Sequence, residues 1–224
     1  MKKSLPVLVF QKVGKPPLRS RLKNQWTTPQ QLTNILTLLT KRKYHVITPN
    51  DLNKRLPARP ILLVFVGGYQ SFYTEVFPLL QKFNIPATCA VAVETLGTYN
   101  AWQDPYREPW QNVLTSKQLT ALVKSGLVNI ATLGLDGKDL SQLSVEQAQQ
   151  EVEESIHRLN KLHQLKACAA VFWPGTPCSQ VKFTPEFELP VITGNYGFNS
   201  SAQTNYLRIL RPTWLNRLRL RFQK

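Results

Sequence analysis

Histidine and cysteine are scarce in this chain, three of each among 224 residues. Cys89, Cys168 and Cys178 share no metal-type spacing and are odd in number, so buried reduced thiols are expected rather than a zinc site or a disulfide framework. His45 enters a candidate strand, while His157 stands within a candidate helix and His163 at that helix's end. No nucleophile-elbow motif accompanies them, so Ser/His/Asp catalysis has no support. Acidic residues are few as well, 13 against 28 Lys and Arg, which gives a net charge of +15. No apolar run approaches the roughly 20 residues that a membrane-spanning helix needs. Met1-Lys2-Lys3 resembles a secretion n-region, but Leu5–Phe10 is short, Pro6 interrupts it and no small-residue cleavage site follows. That stretch therefore reads as a first strand, and the cytoplasm as the default location. Internal repeats and low-complexity tracts are absent too.

What is present is a globular composition with 16 prolines, enough chain for one domain over residues 1–224 and a full core. Its positive charge is concentrated at the ends. Residues 1–60 hold 13 Lys and Arg against Asp51 alone, and residues 201–224 hold six and no acid. The middle carries 9 basic and 12 acidic residues. If both ends share one face, its field would attract an anionic partner: acidic glycan, lipid headgroups or nucleic acid.

The dominant local pattern is Ile61-Leu62-Leu63-Val64-Phe65-Val66 running into Gly67-Gly68, a strand buried on both faces that ends in a sharp turn. Around it, Leu5–Phe10, Tyr44–Ile47, Ile85–Val93, Leu127–Thr132, Cys168–Trp173, Val191–Thr193 and Tyr206–Leu210 read as further strands. Capping boxes at Thr28, Thr115 and Ser144 open amphipathic helices, and Val76–Phe83 reads as another with Pro78 in its first turn. Residues 12–27 read as a basic loop, and residues 97–112 as a loop carrying Tyr99, Trp102, Tyr106 and Trp110. Alternating strands and helices imply an α/β fold with a parallel sheet.

Leu63-Val64-Phe65-Val66-Gly67-Gly68-Tyr69, followed by Phe77-Pro78-Leu79-Leu80 and Ile85-Pro86-Ala87-Thr88, resembles the start of the polysaccharide deacetylase (NodB-homology) family, whose central strand usually reads Leu-Thr-Phe-Asp-Asp-Gly-Tyr. The resemblance covers residues 5–212 and leaves 213–224 as a basic C-terminal segment. It implies a deformed (β/α) barrel, shortened where the Pro-spaced stretch to Pro190 replaces a long helix, with its site at the strand C-termini. It also implies a reaction: removal of an acetyl group from an N-acetylated sugar. A zinc ion held by one Asp and two His brings a bound water to a pKa of about 7, and an Asp base takes its proton. The base position is Val66, and the three ligand positions are Gly67, Leu133 and Gly137. Phe10-Gln11 likewise replaces the family's usual Tyr-His. No catalytic residue, no metal and no other cofactor is therefore expected.

What the resemblance leaves is a ligand groove at the same strand ends, with Gly67, Gly68, Tyr69, Thr132, Asp136, Trp173 and Pro174 as its candidate binding residues. Trp102 and Trp110 could add rings on which sugar faces stack. The resulting expectation is an inactive deacetylase-like domain that binds or scaffolds a glycan, beside an active enzyme partner. Two alternatives stand against it. One is a divergent hydrolase with a relocated site around Asp136 and Cys178. The other is a basic module that lies on a membrane surface or on nucleic acid, using residues 1–60 together with Arg217, Arg219 and Arg221.

Overall fold

The chain begins with strand β1 (Val7–Phe10), the two-residue strands β2 (Lys12–Val13) and β3 (Trp26–Thr27), helix α1 (Pro29–Lys41) and strand β4 (His45–Ile47). It continues through β5 (Pro60–Val66), α2 (Phe77–Phe83), β6 (Ala87–Val91), α3 (Ser116–Lys124), β7 (Val128–Thr132), α4 (Val145–His163), β8 (Ala167–Phe172), β9 (Val191–Tyr196) and β10 (Tyr206–Ile209). This is a computed structural model that describes residues 5–172, 189–196 and 206–209. Trp173, Pro174, Cys178 and the segment 213–224 lie outside them, as does the stretch in which a helix was expected to be shortened.

Eight of these strands form one sheet in the order β1-β5-β6-β7-β8-β9-β10, with β4 against the start of β5, and every pairing is parallel. The sheet curls until β10 approaches β1. The expected deformed (β/α) barrel is thus what the chain forms. All seven side chains of β5 are buried, and they alternate between two cores. Ile61, Leu63 and Phe65 pack outward against Leu32, Leu36 and Leu39 of α1 and the other helices. Leu62, Val64 and Val66 point inward, where Ala90, Ala131 and Ala169 from neighbouring strands leave them room. A two-residue side-chain period laid between helices and a barrel interior requires this uninterrupted apolar run.

Three helices start where their caps predict: Thr28, Thr115 and Ser144 each form a reciprocal capping box with a glutamine three residues on. The fourth differs. Its helical path begins at Gln70, widens over Phe72–Val76 into a π-turn in which the Phe77 N–H bonds the Phe72 carbonyl, and then becomes α2. Pro78 offers no N–H and its ring would crowd the carbonyl four residues back, and the wider turn relieves both constraints.

Residues 12–27 are not simply a basic loop. They contain β2 and β3, paired in parallel, and Lys12 is fully buried. Nor do the basic residues of the first sixty share one face. Exposed Arg19, Arg21 and Lys23 follow β1 at the C-terminal ends of the strands, whereas exposed Lys41, Lys43, Lys54, Arg55 and Arg59 precede β4 and β5 at the opposite end. Among the described residues, no helix is long and apolar enough to cross a membrane.

Candidate functional site

The turn after β5 builds one wall of the site. Gly67 and Gly68 adopt φ of +107° and +57°, a region that side chains with a Cβ disfavour. The Gly67 N–H still bonds Ala90 of β6, and the Gly68 carbonyl accepts from Leu114, so the reversal is held from both sides. It folds Tyr69 back over Gly67: a Cβ on Gly67 would lie 2.4 Å from Tyr69 Cε2.

The loop after β7 builds the opposite wall. Leu133 donates its N–H to Val91, while Val93 and Glu94 donate to Gly134 and Leu135, and Glu151 of α4 accepts from the Leu135 N–H at 2.9 Å. Gly137 follows at φ +81°, and a Cβ there would lie 2.7 Å from Trp102 Cε3. The Trp102 ring in turn meets Tyr69, with centroids 6.2 Å apart.

Between these walls lies a cavity of about 520 Å³, floored by Val66, Gly67, Tyr69, Trp102, Leu133 and Gly137. Gln11, Gln25, Gln103, Lys138 and Asp139 supply its polar edge. The fold therefore gathers the base position and all three ligand positions of the family resemblance at the strand C-termini. The residues there do not fit a metal. Gly67, Leu133 and Gly137 offer no side-chain donor atom, and an aromatic ring covers each of the two glycines from which a ligand side chain would have to grow. Among the described residues, no three His, Cys, Asp or Glu side chains gather so as to hold a metal ion elsewhere.

Behind the polar edge sits a buried network. The Lys12 ammonium lies 3.4 Å from the Glu108 carboxylate, and neither side chain is exposed. Lys12 also donates to the Gln103 amide oxygen at 2.8 Å and to that of Gln25 at 3.1 Å, so its three protons meet three acceptors. Its ammonium stands 5.5 Å from the Tyr69 ring centre and 5.8 Å from that of Trp26. Burial pulls the Lys12 pKa below its ordinary value, and Glu108 only partly restores it. Burial works against the Glu108 carboxylate too. Hydrogen bonds from Ser20 and from the Trp26 indole (2.7 Å), with the Lys12 charge, outweigh it and hold that carboxyl below the usual range.

Several expected binding residues are placed differently. Thr132 is fully buried and turned toward α4: its hydroxyl is 2.5 Å from that of Ser155 and accepts the Gly134 N–H. It is the residue that fixes the loop to the helix and does not line the cavity. Asp136 pairs with the Lys138 side chain and caps its N–H, and the neighbouring Asp139 is the carboxylate that reaches the cavity. Gly68 is buried against Val91. Trp110 stacks on Tyr99 at the surface, with its indole donating to the Gln103 carbonyl. Tyr69 and Trp102 are the rings that do line the cavity. Of the two described cysteines, both are buried and unbridged, and burial raises the Cys168 thiol to about 12 and Cys89 further.

Lys12, Gln25, Gln103 and Glu108 escaped the sequence reading, since they meet from β2, the turn before β3 and the loop 97–112, and no local spacing marks them. A lysine directly after an apolar strand that closes a barrel was the only available clue.

Residues 53–176 match the family model described as polysaccharide deacetylase. Over 37 residues the chain is 57% identical to the poly-β-1,6-N-acetyl-D-glucosamine N-deacetylase of Escherichia coli (strain K12), a stretch of 16% of this chain and 6% of that protein. The enzyme of the same name from Staphylococcus epidermidis is 26% identical over 153 residues, 62% of this chain and 50% of that protein. The chain thus spans at most about half the length of these two relatives. The solved structure of a Streptococcus pyogenes deacetylase in complex with acetate superposes with a TM-score of 0.73 at 19% identity, covering 94% of this chain and 93% of that one.

Proposed function

Starting from the chain's membership of the polysaccharide deacetylase family, we propose that it is a member that holds an N-acetylated glycan in the family's cavity without deacetylating it. The observation that carries this reading is the pair of aromatic rings set into the ligand positions, Tyr69 over Gly67 and Trp102 over Gly137. Loss of three ligands alone would leave a hole. Here the Trp102 ring lies over Gly137, the Tyr69 ring of the family's own Gly-Tyr pair lies over Gly67, and apolar Val66 stands where a proton-accepting carboxylate would be needed. A metal-bound water has no place in such a floor, while flat rings beside amide groups suit the apolar face and polar edge of a sugar. The names of the two relatives supply the ligand class: β-1,6-linked N-acetylglucosamine. In this role the domain keeps acetylated glycan in place beside an active partner enzyme.

The test combines three measurements on purified protein: divalent metal content, acetate release from β-1,6-linked N-acetylglucosamine oligomers, and calorimetric binding of those oligomers. Binding without acetate release and without stoichiometric metal is expected. Metal-dependent acetate release would overturn the inactive assignment, and absence of oligomer binding would overturn the glycan assignment.

A further inference from the structure

Both glutamine amides at the cavity edge present oxygen to the same buried ammonium. The Gln25 oxygen accepts from Lys12 at 3.1 Å and from Gln103 Nε2 at 3.3 Å. The Gln103 oxygen accepts from Lys12 at 2.8 Å and from Asn100 Nδ2 at 3.1 Å. An ammonium has three donors and no acceptor, so a flipped amide would set N–H against N–H at the fully buried Lys12. Lys12 therefore fixes which end of each amide faces inward. We propose that Lys12 is a positioning residue that turns the Gln25 amide N–H groups, and the one Gln103 N–H not donated to Gln25, to the cavity, so that the cavity selects a sugar carrying an acetamido carbonyl over the same sugar carrying a free amine. This deepens the glycan reading above and rests on it.

The charge arrangement favours the same choice. Glu108 neutralises Lys12 within the buried pair, so the cavity meets oriented amide dipoles and not a bare cation. A carbonyl oxygen accepts from those dipoles, whereas a protonated amine brings only donors to meet donors. Asp139 is the carboxylate that could favour the amine, but its Oδ1 is taken by the N–H and hydroxyl of Ser141, and Lys138 stands beside it. The neighbouring rings of Tyr69 and Trp26 keep Lys12 from swinging out toward a ligand.

The experiment compares binding of short β-1,6-linked N-acetylglucosamine oligomers with that of the same oligomers after chemical de-N-acetylation. Gln25→Glu and Gln103→Glu keep side-chain size and give Lys12 an oxygen to face, while replacing the outward N–H group with a second oxygen. Each should lower affinity for the acetylated oligomer about tenfold, the effect of losing one hydrogen bond, and raise it for the amine form; Gln25→Glu should do so at an undiminished melting temperature, whereas Gln103→Glu also loses its bond to Gln25 and should melt lower. The paired variant Lys12→Met with Glu108→Gln removes the orienting cation together with its counter-charge, and should bring the ratio of the two affinities close to one. If Lys12 were only structural, both affinities would fall together at a constant ratio, and that result overturns the proposal. An unchanged ratio in Gln25→Glu and Gln103→Glu overturns it as well, even should the paired variant fail to fold. Wild-type protein that binds neither oligomer removes the glycan reading itself, an outcome separate from a wild type that binds both equally, which removes only the selectivity.

Discussion

The Tyr69 ring covers Gly67 so closely that a Cβ on the glycine would stand 2.4 Å from Cε2. Two independent penalties meet at this position, since φ is +107° and the Tyr69 ring must shift to admit a Cβ. Backbone strain at such a φ costs about 1–3 kcal/mol, and overpacking about as much again. Gly67→Ala should therefore destabilise the fold by about 2–5 kcal/mol, read as a lowered urea midpoint at unchanged slope. A shift below 1 kcal/mol would mean that the ring yields freely.

Regrafting the missing ligands should fail for the same steric reason. A protein carrying Gly67→Asp, Leu133→His and Gly137→His is expected to melt lower than wild type and to retain no stoichiometric zinc after dialysis. The new side chains at 67 and 137 begin closer to the Tyr69 and Trp102 rings than van der Waals contact allows. Tight zinc binding by this triple variant would show that the rings move aside.

Much of this architecture was legible in the sequence because it is written in local patterns. The run Ile61–Val66 announces a doubly buried strand, and the boxes at Thr28, Thr115 and Ser144 place three helix starts. The family frame located the floor at Val66, Gly67, Leu133 and Gly137, four positions that the fold does bring to one cavity. What stayed hidden depends on contacts between distant residues. Lys12 meets Glu108 across 96 positions, so a residue counted toward a basic surface is in fact buried. Thr132 is a candidate binding residue by sequence, and its hydroxyl meets Ser155 of α4 instead. The π-turn at Phe72 was hidden for a different reason, since the Pro78 constraint can be met either by starting a helix late or by widening the turn before it.

The Lys12–Glu108 pair should behave as a single unit. Removing one partner of a buried ion pair strands the other charge and typically costs about 3–5 kcal/mol. Lys12→Met and Glu108→Gln should each be strongly destabilising, while the double variant should lose less than the two losses combined by about 1–3 kcal/mol. A denaturant double-mutant cycle measures this coupling, and strict additivity would mean that Gln25, Gln103, Ser20 and Trp26 already satisfy each group separately.

Acid stability reports on the same carboxylate. Burial opposes ionised Glu108, yet the Ser20 and Trp26 hydrogen bonds and the Lys12 charge lower its pKa in the folded protein. An unfolded glutamate titrates near about 4.3, so between that value and the lower folded one the unfolded chain binds more protons. Stability must then fall as pH drops, being fully present above about 4.3 and lost through the folded pKa. Asp51, held low against the opposing effect of burial by Thr48 and Lys54, adds to the same limb. Glu108→Gln should start less stable at pH 7 and lose less on acidification, so that its curve of unfolding free energy against pH approaches the wild-type curve below about pH 4. Asp51→Asn should flatten the remainder independently, because the two sites share no hydrogen-bond partner. Parallel wild-type and Glu108→Gln curves over this range would show that folding leaves the Glu108 pKa unshifted, and would overturn the lowered value that Ser20, Trp26 and Lys12 impose on it.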